Sequence, residues 1–299
     1  MATGMWTAVS GASAQAQNVD MVANNLANMD TVAFKKDMPT FKEYLSHVER
    51  SPEGQEIPRG PIKERDLHPL EGKDQSFVVI DGTYTNLKQG PLKVTQSPFD
   101  LALEGAGFLE VSTPSGIRYT RQGSLKVAPD GRLVTSEGFP VLSAANAAPN
   151  ETAVGAPLLG QNGLTGQGPQ RGLASEQVAG RFINLRDRAG AFSVSSNGDV
   201  YVGGELIAKL ALTEFNDPRA LRKTGSGLFE NPNPAGNAVR AAENIKTVIH
   251  QGMIEMSNVN PVEEMTNLIK ANRMFEHDLK VMKTYGEMLG REANDVGKL

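Results

Sequence analysis

The C-terminal segment from Asn260 to Val296 carries apolar positions that recur alternately three and four residues apart. Asn260, Pro261 and Glu263 stand at its start, in the order typical of a capped helix N-terminus. A repeat of about 3.5 residues predicts the seam of a coiled coil. The predicted seam consists of Met265, Leu268, Asn272, Phe275, Leu279, Met282, Gly286, Leu289, Ala293 and Val296.

The N-terminal segment shows the same repeat, and residues 3–29 are predicted to form the first helix. Its apolar stripe consists of Met5, Val9, Ala12, Ala16, Val19, Ala23 and Leu26. Since both ends of the chain carry stripes of the same period, we expect them to pair in one coiled coil, with the rest of the chain inserted between them. The alternative is two amphipathic helices that pack on a globular core.

The outer face of the first helix is almost free of charge, since Asp20 is the only charged residue between Met1 and Met29. A surface of uncharged polar groups suits contact with other protein, because a lone charge is costly to desolvate. We therefore predict an assembly interface made of the whole N-terminal stripe, of three amides near the end of this helix and of seven residues of the C-terminal seam. The amides are Asn24, Asn25 and Asn28, and the seam residues are Met265, Leu268, Asn272, Phe275, Leu279, Met282 and Leu289.

The middle of the chain changes pattern twice. Residues 37–75 are interrupted by prolines and predict an extended linker, with a short helix at 41–48. From Phe77 onward, short apolar runs separated by glycine-containing turns predict mainly antiparallel β structure, interrupted by a long loop at 144–177. The expected fold is a discontinuous α+β protein: an assembly domain of residues 1–36 and 257–299, connecting segments 37–88 and 240–256, and an outer β domain 89–239.

Composition excludes several classes of function. The formal net charge of −4 and the pI near 5.7 show no excess of basic residues, which disfavours nucleic-acid binding. The chain contains no cysteine, so thiolate catalysis and cysteine-ligated metals are excluded. No continuous apolar run is long enough to predict a membrane span, and the N-terminus lacks the pattern of a secretory signal peptide.

The sequence contains no recognised catalytic or cofactor-binding motif. Gly105 and Gly107 form a Gly-x-Gly that does not open a predicted helix, so a dinucleotide site is disfavoured. Glu263 and Glu264 are adjacent on a helix and therefore diverge, which suits a helix N-terminus better than acid–base catalysis. The histidines, at 47, 68, 250 and 277, are scattered. We expect no enzyme activity, no cofactor and no metal.

Several runs of residues carry a resemblance to a known family. They are Ser10-Gly11, residues 23–28 with the sequence ANNLAN, Phe34-Lys35, the block 89–142 with DLALEGAGF and YTRQGSLKVAPDGRLVTSEGFPVL, and residues 251–265. In this order they resemble the signatures of bacterial flagellar rod and hook proteins. The chain departs from the family at Val32-Ala33, where a threonine and a glycine are usual. Because glycine there would permit a positive φ, the turn geometry at Ala33 is an open question.

The resemblance implies a structural subunit of the flagellar basal-body rod, with copies joined head to tail into a helical tube that transmits torque and encloses an export channel. Implied partners are copies of the chain, other rod subunits and the flagellar type III export apparatus, without nucleic acid or a membrane span. The implied location is the rod across the periplasm, reached without a cleaved signal peptide.

Within the family, the segment TYTNLKQGPLKVT and residues 260–275 favour the proximal-rod group over the distal-rod group. The chain is short for a hook protein. From a different class, the alternative is a secreted β-rich protein that acts on or binds carbohydrate. The chain has only one Trp and five Tyr, too few to favour an aromatic platform for sugars.

Overall fold

The computed structural model describes residues 2–46, 75–144, 180–186, 190–233 and 246–296. The chain forms two compact units, each built from segments distant in sequence. The first unit comprises Met1–Ala27, Asp37–Tyr84 and Asn260–Leu299, and the second comprises Asn28–Lys36 and Thr85–Val259. His47, His68 and all but the first residue of the predicted 144–177 loop lie outside the described residues.

Two long helices dominate the first unit, α1 (Ala2–Ala27) and α2 (Pro261–Val296), and they pack against each other. The predicted cap of α2 is present, because the Asn260 Oδ1 accepts a hydrogen bond of 3.2 Å from the Val262 N–H. Glu263 and Glu264 lie in the first turn, where the helix dipole favours negative charge. The α+β class and the terminal helices are thus confirmed.

The two helices run antiparallel. The segments of the second unit that follow α1 and precede α2 are bonded to each other, since the Asn258 N–H donates to the Phe34 carbonyl at 3.3 Å. The chain therefore leaves α1 and enters α2 at adjacent points. A Cβ placed on Gly11 of α1 would lie 3.4 Å from the Asp278 Oδ2 of α2. Gly11 and Asp278 are almost equally far along their helices from those points, as antiparallel packing requires.

A two-stranded ribbon completes the first unit: β1 (Asp37–Ser46) pairs with β2 (Gln75–Thr85). The predicted helix at 41–48 is wrong over its described part, because β1 finds a strand partner that lies far along the chain. An isolated ribbon is marginally stable, and this one is bonded to α1. The Asn25 side chain bridges both backbone groups of Asp37 at 2.9 and 3.0 Å, and the Val78 N–H reaches the Ser10 Oγ at 3.4 Å.

The described part of the second unit consists of short strands and one 3-10 turn, Pro218–Ala220. The strands are β3 (Leu92–Val94), β4 (Leu101–Glu104), β5 (Phe108–Thr113), β6 (Gly116–Thr120), β7 (Leu125–Val127), β8 (Leu133–Thr135), β9 (Phe192–Val194), β10 (Asp199–Val202), β11 (Glu205–Lys209), β12 (Leu212–Thr213), β13 (Arg222–Gly225), β14 (Leu228–Glu230), β15 (Val248–Gln251) and β16 (Met253–Glu255). Their ladders are antiparallel, in agreement with the prediction.

The largest described sheet has the order β12-β5-β6-β14-β13, and a three-stranded sheet has the order β11-β10-β9. Two further pairs join early strands to late ones: β15 pairs with β4, and β16 pairs with β3. The core includes Leu101 and Leu103 of β4, which are fully buried, and Ile249 of β15. The second unit therefore needs the last residues before α2 to complete its core.

Neither described helix combines the length and the apolar character that a membrane span requires. Within the described ranges, no three residues of the His, Asp and Glu types are grouped as a metal site.

Candidate assembly surface and buried ion cluster

One face of α2 is covered by α1. Apart from Asn267, the buried and half-buried positions of α2 recur alternately four and three residues apart. These positions are Glu264, Leu268, Ala271, Phe275, Asp278, Met282, Tyr285 and Leu289. Asp278 lies against Gly11 of α1, where a Cβ on Gly11 would be in van der Waals contact with its carboxylate at 3.4 Å.

The predicted α2 seam overlaps this face only in part. Its members Leu268, Phe275, Met282 and Leu289 are half-buried. Its other members with described side chains are exposed: Met265, Asn272, Gly286 and Leu279, the last at 43 %. The side chain of Ala293 lies outside the described residues, as does that of Val296. Of the eight seam members with described side chains, the structure therefore places four on the side that faces α1 and leaves four at the surface.

Large apolar side chains remain exposed on both flanks of the covered face. We call Val262, Met265, Ile269 and Leu279 the N-terminal row, and Met274, Val281 and Met288 the C-terminal row. At 100° per residue, Met265 and Leu279 lie on one side of the α1-facing positions and the C-terminal row lies on the other, whereas Ile269 and Val262 lie farther round, toward the side away from α1. The far side of α2 is exposed and mostly charged, with Lys270, Arg273, His277, Lys280, Thr284, Glu287 and Arg291. The apolar arc of α2 is thus wider than one partner helix covers.

On α1, the buried positions are Ala12, Ala14, Val22 and Asn25. Among the other sequence-predicted positions, Val9, Ala16, Val19 and Leu26 are half-buried, Ala23 and Asn24 are exposed, and Asn28 belongs to a turn in the second unit. The Met5 side chain lies outside the described residues. Exposed Trp6, Ser13, Gln17, Asp20 and Asn24 follow one another along the outer surface. This surface carries a single charge, as the sequence indicates.

The second unit contains a buried cluster of two cations and one carboxylate. Glu255 lies at the end of β16, and its side chain is 0 % exposed. Its Oε1 accepts a hydrogen bond from the Lys35 Nζ at 2.5 Å and one from the Gly90 N–H at 2.9 Å. Its Oε2 accepts one from the Arg121 Nε at 2.9 Å. One carboxylate therefore holds three segments that lie far apart in sequence.

The cations of this cluster have further partners. Lys35 Nζ donates to the Lys88 carbonyl at 2.7 Å, and the Arg121 guanidinium donates to the carbonyls of Leu103 and Gly105 at 3.2 and 2.8 Å. Burial lowers the pKa of Lys35, and the neighbouring Glu255 carboxylate opposes that shift. Such hydrogen bonding is what makes burial of three charges tolerable, because each would otherwise lose its hydration uncompensated.

Glycines allow backbone segments to approach the cluster closely. A Cβ on Gly90 would lie 2.1 Å from the Met256 carbonyl oxygen, and one on Gly123 would lie 1.6 Å from the Leu101 carbonyl oxygen. Neither distance is compatible with a side chain. The glycines of the QGPL and TRQGS runs are therefore required by packing around Glu255 and Arg121.

Ala33 adopts a φ of 56°, in the left-handed region that favours glycine. Its N–H donates to the Glu255 carbonyl at 2.8 Å, and its side chain is buried. The turn keeps the geometry that a glycine would permit, at the cost of local backbone strain.

Sequence reasoning missed the ion cluster, although a signal was present. Lys35, Arg121 and Glu255 each come from one of the runs that carry the family resemblance. Asn258, in the last of these runs, is bonded in the same region: its Oδ1 accepts from the Lys36 N–H at 2.8 Å, and its Nδ2 donates to the Asn86 carbonyl at 2.7 Å. The runs thus meet in space. The ion cluster links the first segment of the second unit, which contains Lys35, to the end of its second segment, which contains Glu255.

Comparison with protein families assigns three separate parts of the chain. Residues 5–35 match the flagella basal body rod protein family, residues 102–202 match the D1 domain of the flagellar hook proteins FlgE/F/G, and residues 250–296 match the C-terminal part of the flagellar basal body rod FlgEFG proteins.

Relatives align along nearly the whole chain. The flagellar basal-body rod protein FlgG of Borreliella burgdorferi is 31 % identical over 97 % of this chain and 97 % of its own length. The flagellar basal-body rod protein FlgF of Caulobacter vibrioides is 29 % identical over 95 % of this chain and 93 % of its own, and FlgG of the same organism is 29 % identical over 95 % of each. The chain belongs to the bacterial flagellar basal-body rod protein family.

Proposed function

We propose that the chain is an axial subunit of the flagellar rod, assembled head to tail from many copies into a tube that transmits torque and encloses an export channel. The single observation that carries this proposal is the wide apolar arc of α2, whose two flanking rows stay exposed although α1 covers the face between them. Exposed apolar rows of this kind mark surfaces that bind protein.

The pairing of α1 and α2 extends the same proposal. Antiparallel contact and a four–three spacing of the covered α2 positions support a coiled coil. In the assembled rod, we propose that this two-helix unit packs against the same unit of neighbouring subunits. The proposed partners are copies of the chain and other rod subunits, with delivery by the flagellar type III export apparatus to the rod in the periplasm.

The position along the rod is a finer proposal. The segment 83–95 and residues 260–275 support a proximal, FlgF-like position, whereas relatives of both the FlgF and the FlgG type align at similar identity. The alternative is a distal, FlgG-like position. A tag on this chain, imaged in isolated basal bodies, distinguishes the two: density next to the membrane-proximal end supports the first, and density next to the hook supports the second.

The assembly proposal is tested by Leu279→Asp. Because Leu279 is exposed in the single chain, the substitution leaves the subunit folded, but an aspartate in an assembled interface would be buried without a partner. We expect incorporation into basal bodies to fall by about a hundredfold or more, since burial of an unpaired charge costs several kcal/mol.

The matched control is Lys280→Asp, which places the same carboxylate at an exposed position on the charged side of α2, with no member of either row three or four residues away. Incorporation should stay near the wild-type level for this variant. Leu279→Asp subunits that fold normally and enter basal bodies as efficiently as the control would contradict the proposal.

A further inference from the structure

The exposed apolar surfaces of the helix pair lie on two different sides. The C-terminal row of α2 occupies one flank of the α1-facing positions, and Met265 and Leu279 of the N-terminal row occupy the other. On α1, Val9, Ala16 and Ala23 recur every seven residues beside the covered face, and Ala23 is exposed. We call these three residues the small row. A subunit that uses both sides can contact one neighbour on each.

The direction of the helices decides which surfaces adjoin. The β1–β2 ribbon takes the side of α1 that carries Ser10 and Asn25. The small row lies on the opposite side of α1. In an antiparallel pair, that is the side on which α2 presents its N-terminal row. The small row and the N-terminal row therefore border one groove, and the C-terminal row projects from the other side.

Resting on the assembly function proposed above, we propose that the C-terminal row of one copy docks against the small row of α1 in a second copy. Met274, Val281 and Met288 are large, whereas Ala16 and Ala23 are small, so knobs of one row fit holes of the other. Both rows repeat every seven residues. Because all copies in a head-to-tail assembly point the same way, α1 of one copy again runs antiparallel to α2 of the other.

Charge complementarity supports this partner. Asp20, the single charge in the described part of α1, lies four residues after Ala16 and three before Ala23, beside the small row. On the side away from α1, the C-terminal row is bordered by Lys270, His277, Thr284 and Arg291, whereas Asp278 borders it on the side that faces α1. The N-terminal row is bordered by both signs, since Arg273 and Glu276 flank it.

The docking surfaces differ, so the contact is heterologous and need not close on itself. Each copy offers its C-terminal row to one neighbour and its small row to another. Such contacts propagate through a ring or a helix of subunits, whereas a self-complementary patch would stop at a dimer.

Cysteine cross-linking tests the inference directly, because the natural chain contains no cysteine. Two versions of the full chain, distinguished by a tag, are expressed together in flagellated cells that lack the natural copy. One version carries Ala16→Cys, and the other carries Met274→Cys, Val281→Cys or Met288→Cys in turn. Basal bodies are isolated, oxidised and separated without reductant. Since each copy has one cysteine, a mixed dimer reports contact between copies.

The control pairs Ala16→Cys with Leu279→Cys. Leu279 is 43 % exposed and Val281 is 42 % exposed, but they belong to opposite rows. We expect mixed dimers with at least one position of the C-terminal row and at least tenfold fewer with Leu279→Cys. Equal or stronger cross-linking at Leu279, cross-links only to a chain of different mass, or basal bodies that contain both versions without a mixed dimer would each overturn the inference. Absence of the wild-type chain from basal bodies would instead overturn the proposed function on which it rests.

Discussion

Glu255→Gln is the most informative perturbation of the second unit. The substitution preserves the size and shape of the side chain but removes its charge. Lys35 and Arg121 are then left as two buried cations, with side chains that are 0 % and 2 % exposed. The amide can also accept on only one of the two atoms that bond the cations and Gly90 in the natural chain.

The expected loss is large for one substitution. Removing one partner of a buried ion pair costs about 3–5 kcal/mol, because the other charge stays buried without compensation. Here a single carboxylate compensates two cations, so we expect the free energy of unfolding of the second unit to fall by about 4 kcal/mol or more. Since domains are stable by only about 5–15 kcal/mol, the unit would be close to unfolding.

The pH dependence has a defined sign. Burial lowers the pKa of Lys35 in the folded chain below its ordinary value of 10.5. Between the folded and unfolded pKa values, the unfolded state binds more protons, so the Lys35 contribution to the free energy of unfolding rises with pH. Without the carboxylate that opposes the shift, the pKa of Lys35 falls further. The destabilisation caused by Glu255→Gln should therefore shrink as the pH is raised.

The measurement is urea unfolding of the full chain, with amide hydrogen exchange in β4 and β15 as the probe of the second unit. Trp6 is the single tryptophan, and its fluorescence follows the first unit separately. Glu230→Gln serves as the control, since the Glu230–Arg118 pair of 3.2 Å is partly exposed and such pairs contribute about 0–1 kcal/mol. Two results would contradict a stabilising role of the ion cluster. One is an equal loss in the free energy of unfolding for both variants, and the other is a loss of less than about 1 kcal/mol for Glu255→Gln.

Substitutions at Gly90, Ala33 and Tyr119 test three other features, and the first two have matched controls. Gly90→Ala should prevent normal folding of the second unit, because its Cβ would lie 2.1 Å from a backbone carbonyl oxygen. As the control, Gly286→Ala adds a Cβ that meets nothing within 4 Å in a helix. It should raise the free energy of unfolding, measured by thermal unfolding, by about 1 kcal/mol. Ala33→Gly should stabilise the chain by about 0.5–1 kcal/mol, because it relieves the backbone strain of a φ of 56°. Ala211 is equally buried, and Ala211→Gly should destabilise the chain. A stability change of the same sign in both variants would contradict the strain at Ala33. Burial, and next the Glu110 carboxylate, raise the pKa of Tyr119 above its usual value of 10.0. Tyr119→Phe should therefore remove the latest step of the ultraviolet tyrosine titration, and stability should decline as the pH rises past about 10, where the unfolded tyrosine ionises first.

Local patterns predicted the secondary structure where the deciding interactions were local. The three–four repeat from Met265 to Leu289 and the Asn260-Pro261 cap lie within the helix they specify, and the structure has that helix. The glycine-containing turns predicted after Phe77 are also local: Pro129-Asp130-Gly131 lies between β7 and β8, and the Gly131 N–H donates to the Ala128 carbonyl at 2.8 Å. The helix prediction at 41–48 was wrong over its described part because the strand partner, β2, is remote in sequence. A strand partner cannot be identified from a short stretch of sequence.

The ion cluster could not be predicted from spacing. Lys35, Arg121 and Glu255 occupy no periodic pattern, and charged residues are usually at the surface. Their burial depends on strands β3, β4, β15 and β16 bringing 88–90, 103–105 and 255 together. The family resemblance identified the runs that contain these residues. Only the strand pairing in the structure shows that the residues are in contact.

The one-residue offset of the α2 seam has a physical cause. A 3.5-residue repeat identifies one arc of a helix, but α2 carries apolar residues over a wider arc that includes both exposed rows. Within such an arc, hydrophobicity alone does not decide which adjacent positions face the partner in the same chain. In the structure, Asp278 lies against Gly11 of α1 and Leu279 is turned outward. A polar residue therefore occupies the contact within the chain while leucine, isoleucine, valine and methionine remain at the surface. That distribution is unfavourable for a solitary subunit and favourable for one whose flanks are covered by neighbours.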